Sequence, residues 1–98
     1  MKRLTLTWTH PGAPDGYNVY LSKFGAPMAY EGTVVDEVWI VNNISDTDKL
    51  ALGIQPFVMQ DGVRIFGDLS VMNYNVASNM ESVGPADVDG LQITVEDV

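Results

Sequence analysis

The chain has 98 residues, no cysteine, and 13 acidic against five basic residues, which gives a formal net charge of −8. This length suits one domain with a single modest core. Because phosphate binding needs a clustered basic surface, the charge argues against a nucleic-acid partner and against docking on anionic lipid. The lack of cysteine excludes disulfides and cysteine-bound metal. We therefore expect a fold held by packing alone.

The first residues set the pattern for the whole chain. Leu4, Leu6 and Trp8 alternate with threonines, which is typical of a half-buried strand, and the Pro- and Gly-rich segment 10–16 ends it. The predicted strands cover residues 4–9, 17–22, 28–31, 36–45, 49–59, 70–76 and 90–96. No amphipathic helix with caps is found. Short strands at regular spacing predict an all-β sandwich or barrel.

Two of these strands carry further predictions. In the strand 36–45, apolar residues lie on both faces, so both faces are expected to be covered. In the strand 49–59, Pro56 cannot donate to a ladder, and pairing on that side is expected to lapse or bulge there. The segment 60–62 then turns the chain, and 63–69 is a loop or a hairpin arm.

The sequence at this point resembles a fibronectin type III domain, one of the immunoglobulin-like sandwiches. The segment "LTLTWTHPGAPDGYNVYLS" is similar to the family's strands B and C, with Trp8 on strand B and Tyr17 on strand C. The segment "WIVNNISDTDKLALGIQPFVMQDGVRIFGDLS" is similar to strand E, the following corner, strand F and a glycine-bearing loop. The resemblance covers residues 4–76 and implies an antiparallel β-sandwich.

The chain departs from that family in two places. Leu50 stands where the family usually has the corner tyrosine, so the corner must be held by packing and by the Asp/Thr turn. Met1 falls almost at the start of strand B, so the family's strand A has no residues there. The C-terminal segment from Pro85 to Val95 has the form of that strand. The resemblance therefore implies a sandwich whose first strand is supplied by the C-terminal segment.

This organisation divides the chain into a sandwich of strands B to G at 1–76, a connector at 77–89 and a completing strand at 90–98. Three arrangements are open for the completing strand. It can fold back into its own domain, insert into a neighbouring copy, or pair with a different partner. The residues expected to complete the sheet are Leu91, Ile93 and Val95.

No residue pattern nominates a catalytic or metal site. His10 is the only histidine and has no positioned partner in the sequence, and no phosphate-binding glycine loop is present. The pairs Asp46/Asp48 and Asp87/Asp89 are too few for a calcium site and are interpreted as turn-forming residues. We expect no enzymatic activity, no metal and no cofactor.

An interaction surface is the remaining kind of site. Trp8, Tyr17 and Trp39 lie on inward registers and are expected in the core. The segment "QDGVRIFGDLS" is the favoured binding loop, because it is long and places apolar side chains where a simple hairpin needs only polar ones. The predicted contact surface consists of Tyr20, Val38, Ile40, Phe57, Ile65 and Phe66.

These observations predict a non-enzymatic structural or interaction module. Its architecture looks like that of small accessory proteins of tailed-phage virions, such as decoration, neck or tail components, with assembly subunits or further copies of itself as partners. The segment after Met1 lacks the apolar run of a signal peptide, so we expect synthesis in the cytoplasm and, on this resemblance, a place in the virion. The alternative is an adhesin-like module that binds host-surface carbohydrate or protein through exposed aromatics.

Overall fold

The computed structural model describes residues 1–83 and 88–98, with the side chains of residues 82 and 83 outside the description. The described residues form nine β-strands and no helix. The strands are β1 (Lys2–Thr9), β2 (Gly16–Lys23), β3 (Ala29–Val34), β4 (Val38–Ile44), β5 (Lys49–Gln60), β6 (Val63–Phe66), β7 (Ser70–Asn75), β8 (Met80–Val83) and β9 (Asp89–Asp97).

The strands form two antiparallel sheets. The smaller sheet has the order β4-β1-β9, and the larger has the order β3-β2-β5-β7-β8 with β6 paired to β5. Apolar side chains from both sheets belong to one buried cluster, so the sheets pack as the two layers of a sandwich. The predicted all-β antiparallel class is confirmed.

The core contains the residues whose alternation marked them as inward. Leu4 and Leu6 of β1 and Ile54 of β5 are fully buried, and the Trp8 and Tyr17 rings meet edge to face at 5.2 Å between centroids. Burial of each such side chain stabilises the fold by about 1.5–3 kcal/mol. The prediction that Trp8, Tyr17 and Trp39 lie in the core is confirmed.

The strand β4 has only one covered face. Trp39 and Val41 are buried, whereas Val38 and Ile40 are 37% and 53% exposed. The expectation that both faces are covered is therefore wrong for the described part of the chain. The outer face of the smaller sheet is lined mainly by polar residues, with Thr5 paired to both Ile40 and Thr94. Two apolar residues at the edge of this face do not require a further layer.

The predicted lapse in pairing at Pro56 is confirmed. Along one edge of β5, residues 49–54 pair with β7 and residues 57–60 pair with β6. Pro56 lies at the change of partner, and its carbonyl accepts a hydrogen bond from the Gly67 N–H at 2.8 Å on that same edge. In an antiparallel strand, a residue's N and C=O face the same neighbour. Proline has no N–H group. At position 56 such a group would point to the gap between β7 and β6, where no ladder bond is required.

The corner between β4 and β5 is built on Asp48. Its buried carboxylate accepts a hydrogen bond from the Ser45 N–H at 2.9 Å and lies 3.4 Å from the Lys23 ammonium. Its backbone C=O accepts the N–H of Val76. Leu50, which stands where the resembled family has a tyrosine, is buried in the core. Packing and the Asp48 turn therefore hold this corner together.

The C-terminal strand β9 lies antiparallel to β1 and forms one edge of the smaller sheet. Its Ile93 and Val95 pair with Leu6 and Leu4, and the three residues Leu91, Ile93 and Val95 are half-buried against the core. The segment 77–89, predicted as a connector, contains the strand β8, which pairs with β7. The interpretation of Pro85 as the lead into a strand falls on residues outside the description.

Candidate functional site

One end of β5 extends beyond the sandwich and turns back as β6. At about 3.3 Å per residue, the 12 residues of β5 span about 40 Å, close to the 43 Å long axis of the molecule. The strand β2 follows β5 only as far as the Gly16–Phe57 pair. Beyond that pair, β6 is the only strand that pairs with residues 58–60 among the residues that the structure describes. We refer to residues 57–66 as the hairpin arm.

A two-residue turn fixes the geometry of the hairpin arm. Asp61 and Gly62 have φ values of 53° and 78°, the left-handed values of a type I′ turn. This turn type suits the right-handed twist of the flanking strands, and Asp-Gly is among its preferred sequences. The pairing runs without a shift from Gln60–Val63 to Phe57–Phe66. The arm is therefore a regular hairpin and not a loose loop.

The inward register of β5 continues into the hairpin arm, but the core does not. Leu50, Leu52 and Ile54 are buried, whereas Val58, on the same face, is 43% exposed. Val58 pairs with Ile65, so Ile65 shares this face and is 47% exposed. The face of β5 that points toward the core therefore stays apolar in the hairpin arm, where its side chains are only half-buried.

The result is an apolar surface at one end of the molecule. It is formed by five large side chains on the two faces of the hairpin arm that are 43% to 58% exposed: Val58, Met59, Val63, Ile65 and Phe66. A groove of about 330 Å³ borders it, lined by His10, Gly12, Pro14, Pro56, Phe57, Val58, Ile65, Phe66 and Gly67. A cluster of exposed apolar side chains is a feature of protein interaction sites.

Asp15 fastens the base of the hairpin arm to the loop after β1. Its carboxylate Oδ2 accepts the Met59 N–H at 2.6 Å, and its own N–H donates to the Phe57 carbonyl at 2.9 Å. Both bonds lie on the edge of β5 that faces away from β6. They replace the ladder bonds that β2 would supply if it continued, so the arm is held in one orientation.

Arg64 fastens the outer face of the hairpin arm to the larger sheet. Its guanidinium lies 4.7 Å from the centre of the Phe57 ring and donates to Asn18 Oδ1 at 3.4 Å. The Phe66 ring packs edge to face on Phe57 at 6.0 Å. A cation over an aromatic ring is worth about 0.5–1 kcal/mol at an exposed site. These contacts order the arm before any partner binds.

The structure brings together only part of the predicted contact surface. Ile65 and Phe66 lie on the hairpin arm and are exposed, but Phe57 is only 5% exposed. Its predicted place on the surface is wrong, because Arg64 and Phe66 cover its ring and Gly16 lets it approach the backbone of β2. Sequence alternation places Phe57 on the outer face but cannot show that another strand's side chains cover it.

The other predicted contact residues lie elsewhere. Tyr20 is half-buried on the outer face of the larger sheet, where its hydroxyl donates to Gln55 Oε1 at 2.9 Å and its ring meets that of Tyr30. Val38 and Ile40 lie on β4 of the smaller sheet. The predicted surface therefore separates into three places, and the exposed apolar side chains are concentrated in the hairpin arm.

The polar candidates have local structural roles. His10 Nδ1 accepts the Gly12 N–H at 2.9 Å, within the turn that these residues form. Asp48 holds its own corner, and Asp87 lies outside the described residues. Among residues 1–83 and 88–98, no three His, Cys, Asp or Glu side chains gather as a metal site would require.

An ion pair joins the two terminal strands at the edge of the smaller sheet. The Lys2 ammonium donates to the Asp97 carboxylate at 2.6 Å, and this hydrogen bond holds the pKa of Asp97 below its ordinary value of 3.8. The same bond raises the pKa of Lys2 above its ordinary value of 10.5. The Asp97 side chain is 85% exposed, so solvent screens the pair and its contribution to stability is small.

Sequence reasoning missed Asp15 and three of the exposed apolar residues of the arm: Val58, Met59 and Val63. A signal for all three was present. An Asp-Gly pair between the apolar runs 57–59 and 63–66 is typical of a two-residue hairpin, which extends both runs as paired strands. Nothing in the sequence indicates the Asp15 contact, because its carboxylate accepts from a backbone N–H that is 44 residues away.

The comparisons with known proteins found no significant match to a family model, a curated protein or a solved structure. The described part of the chain also contains no helix long and apolar enough to cross a membrane. Function must therefore be argued from the hairpin arm and its surroundings.

Proposed function

We propose that this protein is a non-enzymatic interaction module that docks onto a protein partner through its hairpin arm. The observation that carries the proposal is the continuation of the core register of β5 into an arm with exposed Val58, Ile65 and Phe66. Keeping so much apolar surface in water is unfavourable by about 25 cal/mol per Å², and a partner that covers it recovers that free energy.

The order of the arm supports the same function. Asp15, Arg64 and the type I′ turn hold the arm in one conformation, so binding requires little further loss of conformational entropy. The arm also offers two kinds of contact at once. It has apolar side chains on both faces, and its strand β6 has an edge that no other described strand occupies. Strand addition at such an edge is a common mode of protein recognition.

The sheet order supports a fibronectin-type-III-like arrangement as the scaffold. In immunoglobulin-like sandwiches, strand A lies beside strand B, and B lies beside E. If β1 is strand B, the order β9-β1-β4 corresponds to A-B-E, and β2, β5 and β7 correspond to C, F and G. On this assignment the C-terminal strand takes the place of the family's first strand. The virion accessory role is proposed on the architectural resemblance alone.

The carbohydrate-binding alternative has less support. Trp8 and Trp39 are buried, and the half-buried Tyr20 meets the exposed Tyr30 at an interplanar angle of 66°. A sugar ring stacks best on a flat exposed ring, and this pair does not present a common plane. We therefore favour docking onto a protein partner.

Photo-crosslinking tests the proposal. Benzoylphenylalanine placed at position 66 is expected to give covalent protein adducts in the cells that produce the chain, because Phe66 lies in the proposed interface. The matched control is the same group at position 24, an aromatic residue that is 62% exposed but lies in the turn after β2. Equal adducts from both positions, or none from position 66, would overturn the proposal.

A further inference from the structure

The strand β6 has one occupied edge. It pairs with β5, and no other strand among residues 1–83 and 88–98 pairs with it. Its sequence, Val63-Arg64-Ile65-Phe66, is mainly apolar. An open strand edge with apolar side chains is a template for another strand. The question is which backbone groups this edge offers and what they fit.

The turn decides which groups of β6 face outward. A type I′ turn bonds the Gln60 carbonyl to the Val63 N–H, so Gln60–Val63 is a hydrogen-bonded pair. Such pairs alternate in an antiparallel ladder, which makes Val58–Ile65 the next one. Arg64 and Phe66 belong to the intervening pairs. Their N–H and C=O groups therefore point away from β5, toward the open edge.

The residues opposite them on β5 provide an independent check. Arg64 is paired with Met59, and Phe66 is paired with Phe57. The Met59 N–H and the Phe57 C=O are both bonded to Asp15, on the edge of β5 away from β6. Since the two residues of a non-hydrogen-bonded pair point in opposite directions, Arg64 and Phe66 must face outward.

We propose that β6 pairs antiparallel with β6 of a second copy of this chain, about a twofold axis at Ile65. This register sets Arg64 opposite the second copy's Phe66, and Phe66 opposite its Arg64. All the outward N–H and C=O groups of both residues are then paired, which gives four backbone hydrogen bonds. The inference rests on the proposed function, because it names the partner of the hairpin arm as another copy of the chain.

Side-chain chemistry favours this register over its neighbours. An axis at Arg64 would set two guanidinium groups directly opposite each other, which is unfavourable. An axis at Phe66 would set Arg64 opposite residue 68, which lies beyond the end of β6. The axis at Ile65 instead sets a guanidinium opposite an aromatic ring, the contact that Arg64 already makes with Phe57. It also brings the two half-exposed Ile65 side chains together.

The dependence of association on salt concentration distinguishes self-pairing from binding to a basic partner. Each copy carries a formal net charge of −8, so two copies repel each other at long range. The proposed interface consists of backbone hydrogen bonds, the Ile65 contact and the stacking of Arg64 on Phe66. No pair of opposite charges crosses it, so salt has no attractive ion pair to screen there. Added NaCl should therefore strengthen self-association, whereas it would weaken the binding of a basic protein.

The inference is tested by sedimentation velocity over a range of protein concentrations. The experiment compares the wild type with the variants Arg64→Pro and Arg64→Ala. Both variants lack the guanidinium, but only proline removes the outward N–H, and proline is tolerated on an edge strand whose N–H faces solvent. We expect the wild type to dimerise and Arg64→Pro to weaken the dimer about thirtyfold relative to Arg64→Ala, since symmetry removes two hydrogen bonds per dimer. Ile65→Lys, which sets two lysines on the axis, should also abolish the dimer.

Three results would overturn the inference: a wild type that stays monomeric at every concentration, a dimer that Arg64→Pro and Ile65→Lys leave intact, or a dimer weakened by salt. Heteronuclear NMR spectra with unchanged core resonances establish that each variant is folded. A monomeric protein that still forms adducts with another protein from position 66 overturns self-pairing and leaves the proposed function standing. A monomer without such adducts overturns both.

Discussion

The two ends of β5 carry apolar side chains on the same face and have opposite surroundings. From Leu50 to Ile54 the inward side chains meet the smaller sheet and are buried, while from Val58 onward the same face meets no second layer. The difference lies in the length of the opposing strands and not in the residues of β5. Alternation therefore shows which face of a strand is apolar, and the opposing sheet decides where that face becomes core.

The largest expected effect comes from comparing two isoleucine truncations, one in the buried part of β5 and one on β6 of the hairpin arm. Ile54→Ala is expected to lower the free energy of unfolding by about 2–5 kcal/mol, because Ile54 is fully buried and the cavity cannot collapse completely. Ile65→Ala, which removes the same atoms from a half-exposed site, should cost about 0.5 kcal/mol in dilute monomer. Urea unfolding of both variants measures the contrast. Equal losses would mean that the hairpin arm is part of the core.

A methyl group at Gly16 tests the boundary between the two ends. A Cβ there would lie 2.7 Å from the Phe57 Cζ and 3.1 Å from the Val34 carbonyl oxygen. Gly16→Ala should therefore push the Phe57 ring from its place beneath Arg64 and destabilise the protein by about 1–3 kcal/mol.

The control for that prediction is the double variant Gly16→Ala with Phe57→Leu. Leucine lacks the atoms that the new methyl group meets, so the double variant should be more stable than the sum of the single effects predicts. Strict additivity in urea unfolding would show that the clash with Phe57 is not the cause.

The sequence predicted the body of the sandwich better than its arm, for a physical reason. Leu4, Leu6 and Trp8 could be assigned to the core from period-two alternation, because the opposing sheet covers β1 along its length. Phe57 was wrongly assigned to the surface, because its ring is covered by the side chains of Arg64 and Phe66, which lie beyond the turn on β6. Val38 and Ile40 were expected to be covered because alternation cannot reveal whether a further layer exists.

The candidate site was predicted in part. The segment 60–70 was favoured as the binding loop, and it contributes Ile65 and Phe66 to the apolar surface. Its hairpin geometry and the extension of β5 depend on the φ values at Asp61 and Gly62 and on the Asp15 anchor. The anchor is a contact between residues distant in sequence, and no local pattern encodes it.

The smallest expected effect concerns the ion pair between the two terminal strands. The hydrogen bond from Lys2 holds the pKa of Asp97 below its ordinary value, so the folded state binds a proton less readily than the unfolded chain. The pair should stabilise the protein above pH 3.8, and this contribution should disappear as pH falls through the lowered folded pKa.

Comparison of the wild type with Asp97→Asn measures that effect. Their difference in unfolding free energy should be small at neutral pH and shrink toward zero in acid, while Asp36→Asn, which removes an exposed acid from the turn after β3, serves as the charge-matched control. A difference that is constant with pH would show that the ion pair contributes nothing to stability.

Backbone amide exchange in the hairpin arm is the most direct test of the whole account, because it reports on the open edge of β6 residue by residue. In dilute monomer, the Val63 and Ile65 amides should be protected by their bonds to β5, while those of Arg64 and Phe66 exchange freely. At concentrations where the chain self-associates, Arg64 and Phe66 should become protected as well. Protection of these two amides in the dilute monomer, or their free exchange in a dimer, would contradict the account.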